Sequence, residues 1–105
     1  MNPDEQWTAA ALRALSNDAR LDIMRWLKDP TAHFTPQSVG SFEVEGVCAS
    51  TIQERLGLAQ PTVSAHLRTL HQAGLVVRTK VGAWQFYKRD EQAVRRLLDT
   101  LAAEL

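Results

Sequence analysis

The 105-residue sequence predicts a mainly α-helical chain with one small antiparallel β-hairpin, built from about five helices. Three observations predict it. Residues 49–72 read as a short helix, a glycine turn and a second helix. Residues 75–89 are β-branched and aromatic on both sides of Val81-Gly82, the pattern of two short strands joined by a tight turn. The remaining segments, 4–28 and 90–105, carry apolar residues at helical spacing. Residues 1–105 are read as one domain, of a length that permits a modest core.

From the N-terminus, residues 4–15 form the first expected helix, with Trp7, Ala11 and Leu15 spaced by four. Ser16 is the expected cap of a second helix running to about Lys28, with Ala19, Ile23, Trp26 and Leu27 turned inward. Pro30 stops it. The polar stretch Thr31–Ser41, with Pro36 and Gly40, is longer than a connector needs to be. It reads either as a signal- or partner-binding element or as a tolerated insertion. Ser41-Phe-Glu-Val-Glu45 alternates and is expected as a short strand beside the hairpin.

In the central pair, Ile52 and Leu56 share one helix face, and Gly57 can take the left-handed conformation that ends a helix. Leu58 is expected to close the turn with an apolar contact. Pro61 fits a first helical turn, where its missing N–H would be unpaired anyway. Val63, Leu67 and Leu70 make a buried stripe. Opposite lie Pro61, Ser64, Ala65, Arg68 and Gln72, with Thr62 and Thr69 on the flank, and Gly74 ends the helix. A small polar outer face of Gln60, Thr62, Ser64 and Arg68 suits base edges and phosphates in a DNA major groove. The plainer reading is an ordinary helical hairpin with a solvated outer face.

Charge favours the nucleic-acid reading. The chain is neutral, with 12 basic and 12 acidic residues. Yet residues 55–89 hold Arg55, Arg68, Arg78, Lys80, Lys88 and Arg89 and no acid, so that segment carries +6 and the rest −6. Grouped positive charge draws phosphate, while the remainder keeps the chain soluble. The hairpin, with strands expected near 75–80 and 83–89 and Gly82 at its turn, brings Arg78, Lys80, Lys88 and Arg89 beside the second helix. A hairpin in that place is a wing, and the fold expected is a winged helix-turn-helix. Trp84, Phe86 and Tyr87 are expected to pack under the hairpin rather than to stack on bases.

Several linked motifs then resemble a known family. Leu15-Ser-Asn-Asp-Ala-Arg-Leu-Asp-Ile-Met-Arg-Trp-Leu27 is similar to its second-helix signature. Gln60-Pro-Thr-Val-Ser-Ala-His-Leu-Arg-Thr-Leu70, Ala73-Gly-Leu-Val76 and Gly82-Ala-Trp-Gln-Phe-Tyr87 are similar to its recognition helix and wing. The family is the ArsR/SmtB group of bacterial winged-helix repressors, and the resemblance spans roughly residues 7–101. It implies a dimeric operator-binding repressor released from DNA by a bound signal, with Gln60, Thr62, Ser64, Ala65, Arg68, Arg78, Lys80, Gly82 and Lys88 at the DNA. Three departures qualify it. Many members sense metal through a Cys-x-Cys-Asp motif. Aligned by Gln60-Pro61, this chain has Cys48-Ala-Ser-Thr51, so Ser50 replaces the second cysteine. One thiolate is too few for a soft-metal site, which uses three or four Cys or His ligands. A second family site uses Asp and His on the last helix, and the last helix here, near 90–105, has no histidine. Ala65 stands where the family often has a larger polar or basic residue. Neither a metal site nor a cofactor is therefore expected.

Other candidates are weaker. Cys48, the one cysteine, excludes an internal disulfide, fits a reducing cytosol, and reads either as a redox sensor or as a small buried residue. His33, His66 and His71 lack ligand-like spacing, and His66 sits at the edge of the buried stripe. A Cys48–His33 nucleophile pair has no phosphate loop, carboxylate pair or metal motif to support an enzyme. No apolar run approaches membrane-spanning length, and the acidic opening Met1-Asn-Pro-Asp-Glu is not a signal peptide. The last helix carries Val94, Leu97, Leu98, Leu101 and Leu105 on one stripe. With Trp7 and Ala11 of the first helix, Val94, Leu97, Leu98 and Leu101 are expected to form a symmetric homodimer interface. The reading reached is a cytoplasmic, non-enzymatic regulator that binds double-stranded DNA as a homodimer, with a small-molecule or redox effector. The alternatives are a winged helix that docks on protein instead of DNA, or a redox-sensing regulator acting through Cys48.

Overall fold

The computed structural model describes residues 3–105; Met1 and Asn2 of the acidic opening lie outside the described residues. The chain runs α1 (Pro3–Leu15), α2 (Asp18–Lys28), α3 (Pro30–His33), β1 (Val47–Cys48), α4 (Ala49–Leu56), α5 (Gln60–Gln72), β2 (Val76–Val81), β3 (Trp84–Arg89) and α6 (Glu91–Glu104). The strands form one antiparallel sheet in the order β1-β3-β2. This is a winged helix-turn-helix, mainly helical with a three-stranded sheet. None of its described helices is long and apolar enough to cross a membrane.

The core sits where α1, α2, α4 and α5 meet the inner face of the sheet. Ala11, Ile23, Ile52, Leu70, Val47 and Leu75 are fully buried there, with Val63 and Leu67 of the predicted α5 stripe. Apolar spacing of three and four decides these positions, because only one stripe of each helix can face the centre. The α5 helix is held at both ends. Gly57, at φ 68°, ends α4 as expected, and Gly74, at φ 76°, lets the chain turn out of α5 into β2. The Trp7 indole N–H donates to the Ala73 carbonyl at 2.9 Å, so α1 fastens the α5 C-terminus. In the middle, Arg20 of α2 donates from Nε to the Ala14 carbonyl (2.6 Å) and from a guanidinium nitrogen to Nδ1 of His66 (3.0 Å). One side chain thus ties α1, α2 and α5 together.

Several local expectations are corrected. The cap of α2 is Asn17, not Ser16: its side chain accepts from the Arg20 N–H at 3.1 Å. Pro30 does stop α2, yet it also begins the one-turn α3, where proline is tolerated at the first helical position. Leu58 is 40% exposed and closes little. Ser41–Glu45 is not a strand. It is a turn in which the Ser41 carbonyl accepts from the N–H groups of Glu45 (3.0 Å) and Gly46 (3.1 Å), and the strand lies two residues later at Val47–Cys48.

The long loop has a structural task. Gln37 donates from Nε2 to the Gly46 carbonyl (2.8 Å) and accepts from the Cys48 N–H (3.0 Å), so its amide pairs with β1 as another strand would. Gly40 lies so close to Phe86 that a Cβ there would stand 2.9 Å from the ring. Phe86, 1% exposed, is therefore covered from the outer side of the sheet by this loop, while its neighbour Tyr87 faces the helices. Phe34 is wedged between Trp26 and Phe42, with ring centroids 6.0 and 6.2 Å away, and anchors the start of the loop.

Candidate nucleic-acid interface

Helix α5 buries Val63, Leu67 and Leu70 and turns Gln60, Pro61, Thr62, Ala65 and Arg68 to solvent, with Ser64 half-buried among them. Gln60 donates from Nε2 to the Ser64 hydroxyl at 3.1 Å, so these two polar groups are pre-arranged on consecutive turns. Thr69 bonds back to the Ala65 carbonyl at 3.1 Å and is occupied within its own helix. Ala59 precedes α5 with no side-chain cap, which leaves the N–H groups of the first turn to water or to a ligand.

The wing stands beside this face. β2 and β3 pair from Val76↔Arg89 to Val81↔Trp84 around a two-residue loop, Gly82-Ala83, with φ 59° at Gly82. A positive φ at the first loop position alone is the mark of a type II′ hairpin, whose twist matches the strands. Alternation along the strands puts Arg78 and Lys80 on the same face as Tyr87 and Gln85, the face toward the helices. Burial raises the Tyr87 phenol above its ordinary pKa, and the nearby Arg78 and Arg68 guanidinium groups pull it back, so charges from α5 and β2 converge at that ring.

The six basic residues of 55–89 divide into two groups. Arg55 lies over the Trp26 ring, 4.9 Å from its centroid. Arg89 makes two 2.9 Å bonds to the Glu91 carboxylate. Lys88 donates to the Glu43 carbonyl at 2.7 Å, so it holds the loop turn against β3, on the face of the sheet opposite Arg78 and Lys80. Arg68, Arg78 and Lys80 make no ion pair among the described residues. Of the wing aromatics, Phe86 and Tyr87 are buried as expected, whereas Trp84 is 46% exposed at the first position of β3.

Cys48 is buried, with Sγ 3.3 Å from the Ser50 hydroxyl. His33 lies on α3 and His71 in the last turn of α5. His66 has its pKa lowered, first by burial and then by the adjacent Arg20. The expected dimer residues separate. Ala11 is 0% and Leu97 4% exposed; both belong to the chain's own core and have no surface left to give a partner. Trp7, Val94 and Leu101 are half-buried against that core, and Leu98 is 57% exposed. Leu12 on α1 and Leu105 at the chain end are exposed too, and α1 and α6 are joined by an Arg96–Asp4 ion pair and by Arg96 stacked 4.3 Å from the Trp7 ring centroid. Sequence reasoning missed Leu12, which lies off the Trp7–Ala11–Leu15 spacing, and Arg20, whose partner is 46 residues away.

Residues 45–77 match the family model described as "Bacterial regulatory protein, arsR family". The chain is 42% identical over 93 residues to the uncharacterized HTH-type transcriptional regulator YbzH of Bacillus subtilis (strain 168), covering 89% of this chain and 93% of that one. It is 36% identical over 77 residues to the HTH-type transcriptional regulator MJ1325 of Methanocaldococcus jannaschii, covering 73% and 84%. Among solved structures it is similar to the homodimeric winged helix-turn-helix DNA-binding domain Mb0332 from Mycobacterium bovis, with a TM-score of 0.65, 25% identity, and coverage of 94% of this chain and 80% of that one.

Proposed function

The chain belongs to the arsR family of bacterial regulatory proteins, HTH-type transcriptional regulators rather than enzymes, and from that premise we propose that it is a cytoplasmic repressor whose homodimer binds an inverted-repeat operator. The observation that carries the reading is the juxtaposition of one exposed polar helix face with three unpaired cations. Gln60, Thr62, Ser64, Ala65 and Arg68 enter the major groove and read base edges, while Arg78, Lys80 and the Gly82 turn follow the backbone beside it. Dimerisation joins α1 and α6 of two copies through Leu12, Leu98 and Leu101, with Trp7 and Val94 behind them. The two α5 helices then meet half-sites about one helical turn apart, roughly 34 Å.

The releasing signal is not a metal in this reading. The position beside Cys48 that would need a second thiolate holds Ser50, and α6 carries no histidine. Selection of bound duplexes from a random pool tests the proposal. The expected product is a palindromic pair of half-sites, bound with strong salt dependence. Recovery of duplexes without a repeat, or of none, would overturn it.

A further inference from the structure

We propose that Tyr87 is a positioning residue for DNA binding: its phenol oxygen holds the Arg78 guanidinium beside Arg68, so that the cations of the wing and of α5 meet DNA already set relative to one another. This role rests on the DNA-binding reading above. It falls to a residue that is only 5% exposed and too buried to touch DNA itself.

Tyr87 and Arg78 are direct cross-strand partners on the helix-facing side of the wing. Directly opposed side chains in an antiparallel pair start about 4.5–5.5 Å apart at Cβ, so the two meet without any bend of the strands. The Tyr87 ring belongs to the core that includes Val63 and Leu67 of α5, and with them it lines the cleft between α5 and the wing. Packing on that core fixes where the hydroxyl sits. The bond to Gln85 fixes which way it faces. A phenol has one hydrogen to donate and two lone pairs with which to accept. Its hydrogen goes to Gln85 Oε1 at 3.1 Å, so only acceptor positions are left for the cations. Arg78 acts on the phenol oxygen as a donor and as a charge, and the Arg68 charge reaches it from α5. Burial raises the phenol's pKa more than the two guanidinium groups lower it, so the hydrogen stays in the bond to Gln85 at neutral pH.

A neutral acceptor suits this task better than an acid. A carboxylate opposite Arg78 would orient it too, but would also neutralise the charge that phosphate needs. Arg89 shows that outcome. It lies on the same side of β3 as Tyr87, and Glu91 takes its guanidinium through two 2.9 Å bonds. No Asp or Glu occurs between Glu54 and Asp90. The phenol orients the Arg78 guanidinium and leaves its full charge for the DNA backbone. Held there beforehand, Arg78 has less side-chain freedom to lose when DNA docks.

The test compares the intact chain with Tyr87→Phe, which keeps the ring in the core and removes only the hydroxyl; thermal melting checks that it folds. In the free proteins, NMR relaxation at the Arg78 side-chain Nε–H reads the tie without DNA. That N–H should be ordered in the wild type and markedly more mobile in Tyr87→Phe. On selected operator duplexes, Tyr87→Phe should bind about three- to tenfold more weakly, the loss expected for one charge-assisted hydrogen bond. Arg78→Ala should weaken binding about tenfold. The double variant should be no weaker than Arg78→Ala alone, within about twofold, because the hydroxyl acts only through that guanidinium. Gln85→Leu, at a half-buried position, releases the hydroxyl from outside the core and should weaken binding about two- to fivefold. Equal Arg78 mobility in wild type and Tyr87→Phe would overturn the positioning role. So would unchanged operator affinity in Tyr87→Phe, or losses from Tyr87→Phe and Arg78→Ala that multiply. A wild-type chain that binds no duplex would sink the operator reading instead, and the relaxation comparison would still decide whether the phenol holds Arg78.

Discussion

At the scale of single residues, the interface makes distinctions that composition cannot. Arg68, Arg78 and Lys80 stand on α5 and on the helix-facing side of the wing, whereas Lys88 lies on the other side of the sheet and donates to the Glu43 carbonyl. Arg68→Ala and Ser64→Ala should relax operator preference, because base edges carry sequence information. Lys80→Ala should weaken every sequence alike and lower the log–log salt slope by about one unit. Lys88→Ala should leave that slope unchanged. Fluorescence anisotropy across a salt series separates the four, and a slope change from Lys88→Ala would show that it reaches phosphate after all. His66 gives a pH prediction. Its bond from Arg20 requires a neutral imidazole with Nδ1 free to accept, and both burial and the Arg20 charge lower its pKa below 6.5. A base whose folded pKa is depressed contributes stability that is fully present above its unfolded pKa and is lost as pH falls through that value toward the folded one. Thermal stability should therefore decline as pH drops below about 6.5. In His66→Gln, which cannot titrate, the portion of that decline due to this group should vanish. Parallel pH profiles in the two proteins would remove His66 from the account.

At the scale of elements, what was legible in the sequence was whatever depends on near neighbours. The α5 stripe, the Gly57 and Gly82 turns and the two wing strands follow from apolar spacing and glycine placement within a few residues, and they stand where that spacing puts them. Phe86 and Tyr87 could be assigned to the interior, but Trp84, one position before the same alternation meets its cover, could not be distinguished from them. The loop was illegible for a different reason. Its role depends on Gln37 reaching β1 and on Gly40 lying against Phe86, 46 residues later, and no local pattern announces a contact at that distance. The same limit hid Arg20–His66 and the true bond of Lys88. Two substitutions test the loop as a fastener. At Gly46, φ is 105° and an added Cβ would meet the Tyr87 carbonyl at 2.5 Å, so Gly46→Ala should cost roughly 2–4 kcal/mol in stability. Gln37→Ala should cost about 1–2 kcal/mol by freeing the Gly46 carbonyl and the Cys48 N–H. Chemical denaturation measures both, and a neutral Gln37→Ala would reduce the loop to mere filler.

At the scale of the whole molecule, the terminal helices serve two masters. Ala11 and Leu97 are already part of the chain's own core, so only the outer residues of α1 and α6 can serve assembly. That division makes the dimer separable from the fold. Leu98 is 57% exposed, so Leu98→Glu should leave the melting temperature of the monomer nearly unchanged while placing a charge in the middle of the proposed contact. Sedimentation should show dimer association at least tenfold weaker, and operator affinity should fall with it, since two half-sites reward a linked pair of α5 helices far more than separate ones. Leu97→Ala, by contrast, should lower stability by about 2–4 kcal/mol whether or not a partner is present. A Leu98→Glu protein that stays dimeric would relocate the interface to another face.

The tie between the loop and the sheet has a mechanical consequence. A hairpin joined to its body only by its own ends can swing, and it can adapt to a groove after docking. Here the hairpin is held at its base: Gln37 grips β1, β1 pairs with β3 at Phe86 and Tyr87, and Lys88 grips the turn at Glu43. We expect the base of the wing to keep its place beside α5 when DNA is docked. Any adjustment to a bent or stretched operator has to occur at the joint between two subunits, which concentrates sensitivity to half-site spacing there. One inserted base pair at the operator centre should then be tolerated poorly, and amide hydrogen exchange should find the wing as slow as the helices it rides on.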